Sequence, residues 1–179
     1  MIISKLPSWH APIVKEQLFA KDTLQYRYWN KKNCYGLMNV MAIKLARIIR
    51  FEPTLSVTDK MERLEQMAEA FAKMGKQKDL EFFSIGEESI YAILAGMLTA
   101  DNAPIDDVIR IREKQFTSME KMMSLAQSDQ VLSEQIKTTY KTDDLLAWIL
   151  NRLTNSPHPQ FEKLRENPKY MEMLNKWSR

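Results

Sequence analysis

Hydrophobic residues recur every three or four positions along most of this chain, which is the spacing of one face of an α-helix. The segment 37–51 shows this most clearly, since no acidic residue interrupts it and Pro53 closes it. Its predicted buried face contains Leu37, Met38, Val40, Met41, Leu45, Ile48 and Ile49. The other side of the same helix is predicted to present Asn39, Lys44, Arg47 and Arg50 to solvent.

The same spacing predicts further helices after Pro53. They are predicted over 61–75, 86–99, 104–126, 128–140 and 143–153, followed by a short helix from 161 and a last one over 168–177. Ser56 or Thr58 can cap the first of these, and Thr142 can cap the fifth. At the N-terminus, an extended stretch to Pro12 and a short helix over 13–20 are predicted.

These elements predict an all-α fold, a single bundle-like domain of roughly seven to nine helices with short connections. The sequence NSPHPQ at 155–160 is the best candidate linker in the chain. It divides a helical domain over 1–156, with a basic N-terminal third, from a C-terminal helical tail over 157–179. The tail is expected either to pack on the same domain or to dock on a partner.

Composition narrows the classes of protein to which the chain can belong. It has four glycines, fewer than antiparallel β proteins and glycine-loop nucleotide binders usually need. Its single cysteine, Cys34, cannot form an internal disulfide, which favours a reducing compartment. No stretch has the ~18 uninterrupted apolar residues of a membrane span, and the N-terminus lacks the continuous apolar run of a signal peptide. A cytoplasmic protein is therefore expected.

Candidate chemistry is sparse. His10 and His158 lie near opposite ends of the chain, and neither has a second ligand at a metal-binding spacing. Cys34, beside two lysines, is the only nucleophile that the sequence suggests. Three carboxylate pairs are predicted in first helical turns, where the helix dipole favours negative charge: Glu87–Glu88, Asp106–Asp107 and Asp143–Asp144. The sequence therefore predicts no catalytic residue, no metal site and no cofactor.

Charge is distributed unevenly. Residues 1–52 hold nine Lys and Arg against three Asp and Glu, a net charge of +6, whereas the whole chain carries only +3. Within this third, the segment QYRYWNKKNCYG (25–36) alternates aromatic and basic residues without an acid. Such a segment can bind nucleic acid through its cations and rings, or it can be the solvated edge of a helical core. The candidate binding residues are Arg27, Trp29, Lys31, Lys32, Lys44, Arg47 and Arg50.

The sequence favours a non-enzymatic, intracellular adaptor or regulatory protein that binds another protein. Twelve methionines support this hypothesis, because flexible methionine side chains are common in adaptable binding surfaces. The main alternative is a nucleic-acid-binding protein that uses the basic and aromatic residues of 25–50. A lesser alternative is an enzyme whose site is assembled from distant residues. The oligomeric state has no signature in the sequence.

Overall fold

The structure, a computed structural model, describes residues 23–77 and 80–178, with side chains from residue 30 onward. Within these ranges the chain forms eight α-helices and no β-strand. They are α1 (Thr23–Phe51), α2 (Val57–Gly75), α3 (Phe83–Ala100), α4 (Ile105–Ser128), α5 (Gln130–Tyr140), α6 (Leu145–Asn155), α7 (Pro159–Arg165) and α8 (Pro168–Trp177). The predicted all-α, bundle-like fold is confirmed. The elements predicted before residue 21 lie outside the described residues.

Helix α3 forms the centre of the bundle, with 13 of its 18 residues buried. It packs against α1, α2 and α4. Gly86 allows this close packing, because a Cβ there would overlap the ring of Phe71 in α2 and lie 3.3 Å from Cβ of Ala42 in α1. Ala42 and Ala46 of α1 are themselves fully buried. The central contacts therefore depend on small residues as much as on large apolar ones.

Helix α3 begins at Phe83, three residues before its predicted start at Gly86. The ring of Phe83 stacks on Phe82 with 5.0 Å between centroids and meets Phe71 edge to face at 5.4 Å. These apolar contacts anchor an additional turn in the core. The pair Glu87–Glu88 consequently lies beyond the first turn and is buried. The prediction that these two charges sit at a helix N-terminus is therefore wrong.

Most of the other described helix starts are capped by a side chain. Ser56 caps α2 in a capping box. Its Oγ accepts from the Asp59 backbone N–H at 3.1 Å, and Asp59 Oδ2 accepts from the Ser56 backbone N–H at 3.2 Å. Asp106–Asp107 does lie in the first turn of α4, as predicted. At α6 the capping residue is Asp144, whose Oδ1 accepts from a backbone N–H at 2.9 Å. The prediction of Thr142 for that role is wrong.

A polar network crosses the core between α3, α4 and α5. Glu88 Oε1 accepts from Gln115 Nε2 at 3.2 Å, and its Oε2 accepts from the Tyr140 hydroxyl at 3.3 Å. Arg112 Nη1 in turn donates to Gln115 Oε1 at 2.8 Å. Burial raises the pKa of Glu88 and lowers that of Arg112. Because an unpaired buried polar group is costly, this network favours one alignment of the three helices.

The helices after residue 156 share the core with those before it. Tyr170 and Leu174 of α8 are buried, and the ring of Trp177 meets Phe116 of α4 at 5.4 Å between centroids. Arg165 of α7 donates to the carbonyl oxygens of Leu153 and Ser156 at 3.0 and 2.9 Å, which satisfies the end of α6. The C-terminal helices are thus held by apolar, aromatic and hydrogen-bond contacts to the bundle.

Candidate interaction surface

Helix α1 presents a face to the bundle that differs from the predicted one. Its buried residues include Tyr35, Ala42 and Ala46, and Asn39 Oδ1 accepts from the Ser89 hydroxyl of α3 at 2.7 Å. The side predicted to be polar therefore contributes Asn39 to the packed face. The predicted burial of Leu37, Val40, Met41, Leu45 and Ile48 is wrong, because all five are exposed.

These exposed side chains form one continuous row. At ~100° per residue, they fall with Phe51 within an arc of roughly 140° on the side of α1 opposite Ala46. Leu37, Ile48 and Phe51 each keep about two thirds of their surface in water, at 67%, 66% and 68%. We call this surface the α1 outer face; its members are Leu37, Val40, Met41, Lys44, Leu45, Arg47, Ile48 and Phe51.

Two cations belong to the α1 outer face. Lys44 lies inside the apolar row, one turn from both Met41 and Ile48, and Arg47 lies at its edge. Both are exposed, and neither forms an ion pair with another described residue. Arg50 lies farther round the helix, with its guanidinium carbon 5.2 Å from the centroid of the Phe51 ring. The three cations therefore lie close to apolar surface, and none of them forms an ion pair with another described residue.

The N-terminal half of the predicted site is arranged differently. Lys31 Nζ lies 2.7 Å from Asp129 Oδ2 at the start of α5, and the buried Tyr35 hydroxyl donates to the same oxygen at 2.6 Å. Burial alone would raise the pKa of Asp129, but these two hydrogen bonds hold it below its usual range. Burial and the neighbouring carboxylate raise the pKa of Tyr35. This cluster attaches α1 to α5.

The seven predicted site residues are therefore not one surface. Lys44, Arg47 and Arg50 are together at the C-terminal end of α1, ~20 Å or more along the helix from Lys31. Lys32 is half-buried near Lys31. The side chains of Arg27 and Trp29 lie outside the described residues.

Sequence reasoning missed the α1 outer face because α1 is apolar on two sides. Apolar periodicity shows that a helix has a hydrophobic stripe, but it does not show which of two stripes is buried. The general tendency of large apolar side chains to be buried favours the wrong stripe here. The signal that could have chosen between them is the pair Ala42 and Ala46, one turn apart. Small residues at that spacing allow close helix packing, here against a helix that carries Gly86.

Other sequence candidates gain no chemical role. Cys34 is half-buried, and His158 is exposed and caps α7, its Nδ1 accepting from Gln160 N–H at 3.4 Å. His10 lies outside the described residues. In the described part of the chain, no group of three or more His, Cys, Asp or Glu side chains could hold a metal ion. Nor is any described helix long and apolar enough to cross a membrane.

Comparison of the chain with protein-family models, with curated proteins and with solved structures returns no match.

Proposed function

We propose that this chain is a non-enzymatic, cytoplasmic adaptor or regulatory protein that binds another protein through the α1 outer face. The observation that carries the proposal is the row of six large, exposed apolar side chains on one helix. Scattered exposed apolar residues are ordinary, but a continuous row with cations among them is typical of an interaction site. Burying the still exposed surface of these six side chains would contribute about 6 kcal/mol to the free energy of binding, at ~2 kcal/mol per fully buried side chain.

The charges on this surface favour a partner helix that carries acidic residues. Lys44 and Arg47 stand among or beside the apolar side chains without an ion pair to any described residue. A partner that placed Glu or Asp opposite them would gain complementary contacts. A second copy of this chain would instead place Lys44 and Arg47 near the same residues of its partner, which is repulsive.

Dimensions also suit a helix. The row from Leu37 to Phe51 extends ~21 Å, so an amphipathic helix of about four turns would cover it. If the partner buries an equal apolar surface, the gross gain is about 12 kcal/mol. After roughly 5 kcal/mol of association cost, an affinity near micromolar remains.

The nucleic-acid alternative receives less support from the geometry. It requires rings and cations to be available together, but Tyr35 is buried and Lys31 is paired with Asp129. The exposed neighbours of Lys44 and Arg47 are mainly aliphatic, which cannot stack on bases as rings do. Nucleic-acid binding is therefore retained as an outcome of the test.

The test uses two synthetic helical peptides of ~15 residues, one built from leucine and glutamate and one from leucine and lysine. Fluorescence anisotropy is expected to show binding of the glutamate peptide only. Lys44→Glu and Ile48→Gln should each weaken it, whereas Lys73→Glu, a charge reversal at an exposed site on α2, should not. Equal binding of both peptides, or binding unaffected by the two α1 variants, would refute the proposal.

Two further measurements identify the competing occupants. Sedimentation equilibrium that shows a dimer abolished by Ile48→Gln would assign the face to a second copy. Binding of a labelled single-stranded oligonucleotide that weakens steeply with salt and is lost in Lys44→Glu would assign it to nucleic acid. Either result would contradict the protein-partner proposal.

A further inference from the structure

A second feature, on another part of the bundle, concerns the carboxylate of Glu87. This residue lies in α3, and only 7% of its side chain is exposed. Its one ion-pair contact among the described residues is Lys121 Nζ, 3.5 Å from Oε1. A carboxylate can accept about four hydrogen bonds, and a good charge-assisted bond is ~2.8 Å long. Glu87 is therefore buried with little compensation, and burial raises its pKa.

Glu65, in the same bundle, is a partly buried carboxylate whose charge is compensated by two cations. It lies on α2, with 15% of its side chain exposed. Arg110 Nη1 and Lys114 Nζ of α4 each lie 2.6 Å from its Oε1. Burial would raise the pKa of Glu65, but these two hydrogen bonds hold it below its usual range. Two partly buried carboxylates thus differ mainly in the cations that reach them.

Space for a ligand lies directly beside Glu87. An open cleft of about 720 Å³ runs between α2, α3 and α4, and the Glu87 side chain lines it. Small residues from all three helices create the space: Ala72, Gly75, Ser84 and Ser124. Leu125 supplies an aliphatic wall, and the remaining lining residues are charged: Lys76, Glu81, Glu120 and Lys121. An aliphatic chain with a charged end matches this combination of size and lining.

The cation that now approaches Glu87 is weakly held. The Lys121 side chain is 52% exposed, so its ammonium group is already partly solvated and can turn into water with little loss of interaction energy. In the described part of the chain no third ligand is available to complete a metal site. A ligand that brings its own N–H donors is the better match, because it can satisfy several positions on the carboxylate at once.

We propose that this cleft is a binding site for an alkyl guanidinium or ammonium group, which forms an ion pair with Glu87 in place of Lys121. The site is separate from the α1 outer face and does not depend on its function. Lys121 acts as an internal substitute for the ligand, and the small residues of the three helices receive its aliphatic chain.

The test compares n-butylguanidinium with n-butylurea, which has nearly the same shape but no charge. Binding is followed by NMR through the backbone amide resonances of Gly75, Ser84 and Ser124, which surround the cleft. Butylguanidinium is expected to shift these resonances in a saturable manner at millimolar concentration, and butylurea is not. Absence of saturable shifts with butylguanidinium, or equal shifts with the two compounds, would overturn the proposal.

Three variants separate a specific site from a general attraction of cations. Glu87→Gln should weaken butylguanidinium binding by about tenfold or more, because the charge-assisted bonds are lost. Lys121→Met, which removes the internal competitor, should strengthen it by roughly two- to fivefold. Glu65→Gln is the matched control and should leave it unchanged, since Glu65 is already paired. Binding that persists in Glu87→Gln, or that is lost equally in Glu65→Gln, would refute the assignment.

The source of the cation is distinguished by a peptide with one arginine flanked by glycines. If the peptide binds more tightly than butylguanidinium, the site takes an arginine side chain of a protein. If it binds more weakly, the site takes a free guanidine or amine. Both results require loss of binding in Glu87→Gln, and without that loss the cleft is not a cation site.

Discussion

Replacing Leu37 and Ile48 together by alanine should cost little stability, although both are large apolar residues in a helix. Each keeps about two thirds of its surface in water, at 67% and 66% exposed. A fully buried Leu or Ile loses about 2–5 kcal/mol on truncation to alanine, so a side chain one-third buried should lose about 1 kcal/mol. Because alanine has the higher helix propensity, it offsets this loss by a few tenths of a kcal/mol at each site. The pair should therefore cost about 1–2 kcal/mol.

The opposite orientation of α1 predicts a much larger loss of stability for the same double variant. If the large apolar residues of α1 faced the core, as periodicity alone predicts, the same pair would cost about 4–10 kcal/mol. Urea unfolding followed by circular dichroism separates these values, with Leu64→Ala as the control. Leu64 is fully buried, and its truncation alone should cost about 2–5 kcal/mol. A loss of more than about 3 kcal/mol in the double variant would refute the exposed placement of this face.

Three further predictions follow from the packing and the buried charges. Gly86→Ala should destabilise the protein by about 1–3 kcal/mol, because the added Cβ would overlap the Phe71 ring. Gly96→Ala should stabilise it by about 0.5–1 kcal/mol, because nothing lies within 4 Å of the added Cβ. Thermal unfolding of the two variants tests the contrast. Burial raises the pKa of Glu87, so its ionisation opposes folding. The free energy of unfolding of Glu87→Gln should therefore rise relative to that of wild type as pH rises above the ordinary pKa of 4.5. A difference in unfolding free energy between the two proteins that does not change with pH would contradict this. Asp129→Asn should lower the free energy of unfolding by about 1–3 kcal/mol above pH 3.8. Because the pKa of Asp129 is lowered in the folded protein, the difference in stability between variant and wild type should disappear as pH falls through this lowered pKa. Acid unfolding titrations of the two proteins test this.

Fold class was predictable from the sequence because it depends on features that are local. Apolar periodicity, Ser56 at a capping position and the acids at the start of α4 each act within a turn or two of chain. The start of α3 was not predictable in this way, since Phe83 extends the helix through ring contacts with Phe71, distant in sequence. Local signals locate helices, and tertiary contacts adjust where they begin.

The candidate surface was only partly predictable. Sequence patterning places Lys44, Arg47 and Arg50 on α1, and the absence of acids nearby marks the segment as basic. It does not reveal that their neighbours are exposed aliphatic residues, because this depends on which of two apolar stripes α3 covers. Nor does it reveal that Lys31 is engaged by Asp129, a residue that only the tertiary fold brings near.

The adjacent residues Glu87 and Glu88 show how one local pattern acquires two roles. Side chains at successive helical positions point ~100° apart, so two neighbouring carboxylates on a central helix must face different surroundings. Glu88 turns into the interior, where Gln115 and Tyr140 donate to it, and its charge is part of what aligns three helices. Glu87 lines a cleft, where Lys121 is its one ion-pair partner among the described residues and the charge of Lys76 also acts on it. A buried carboxylate whose one ion-pair contact is 3.5 Å long is costly to retain, and this cost favours the proposal that a cation binds it from outside.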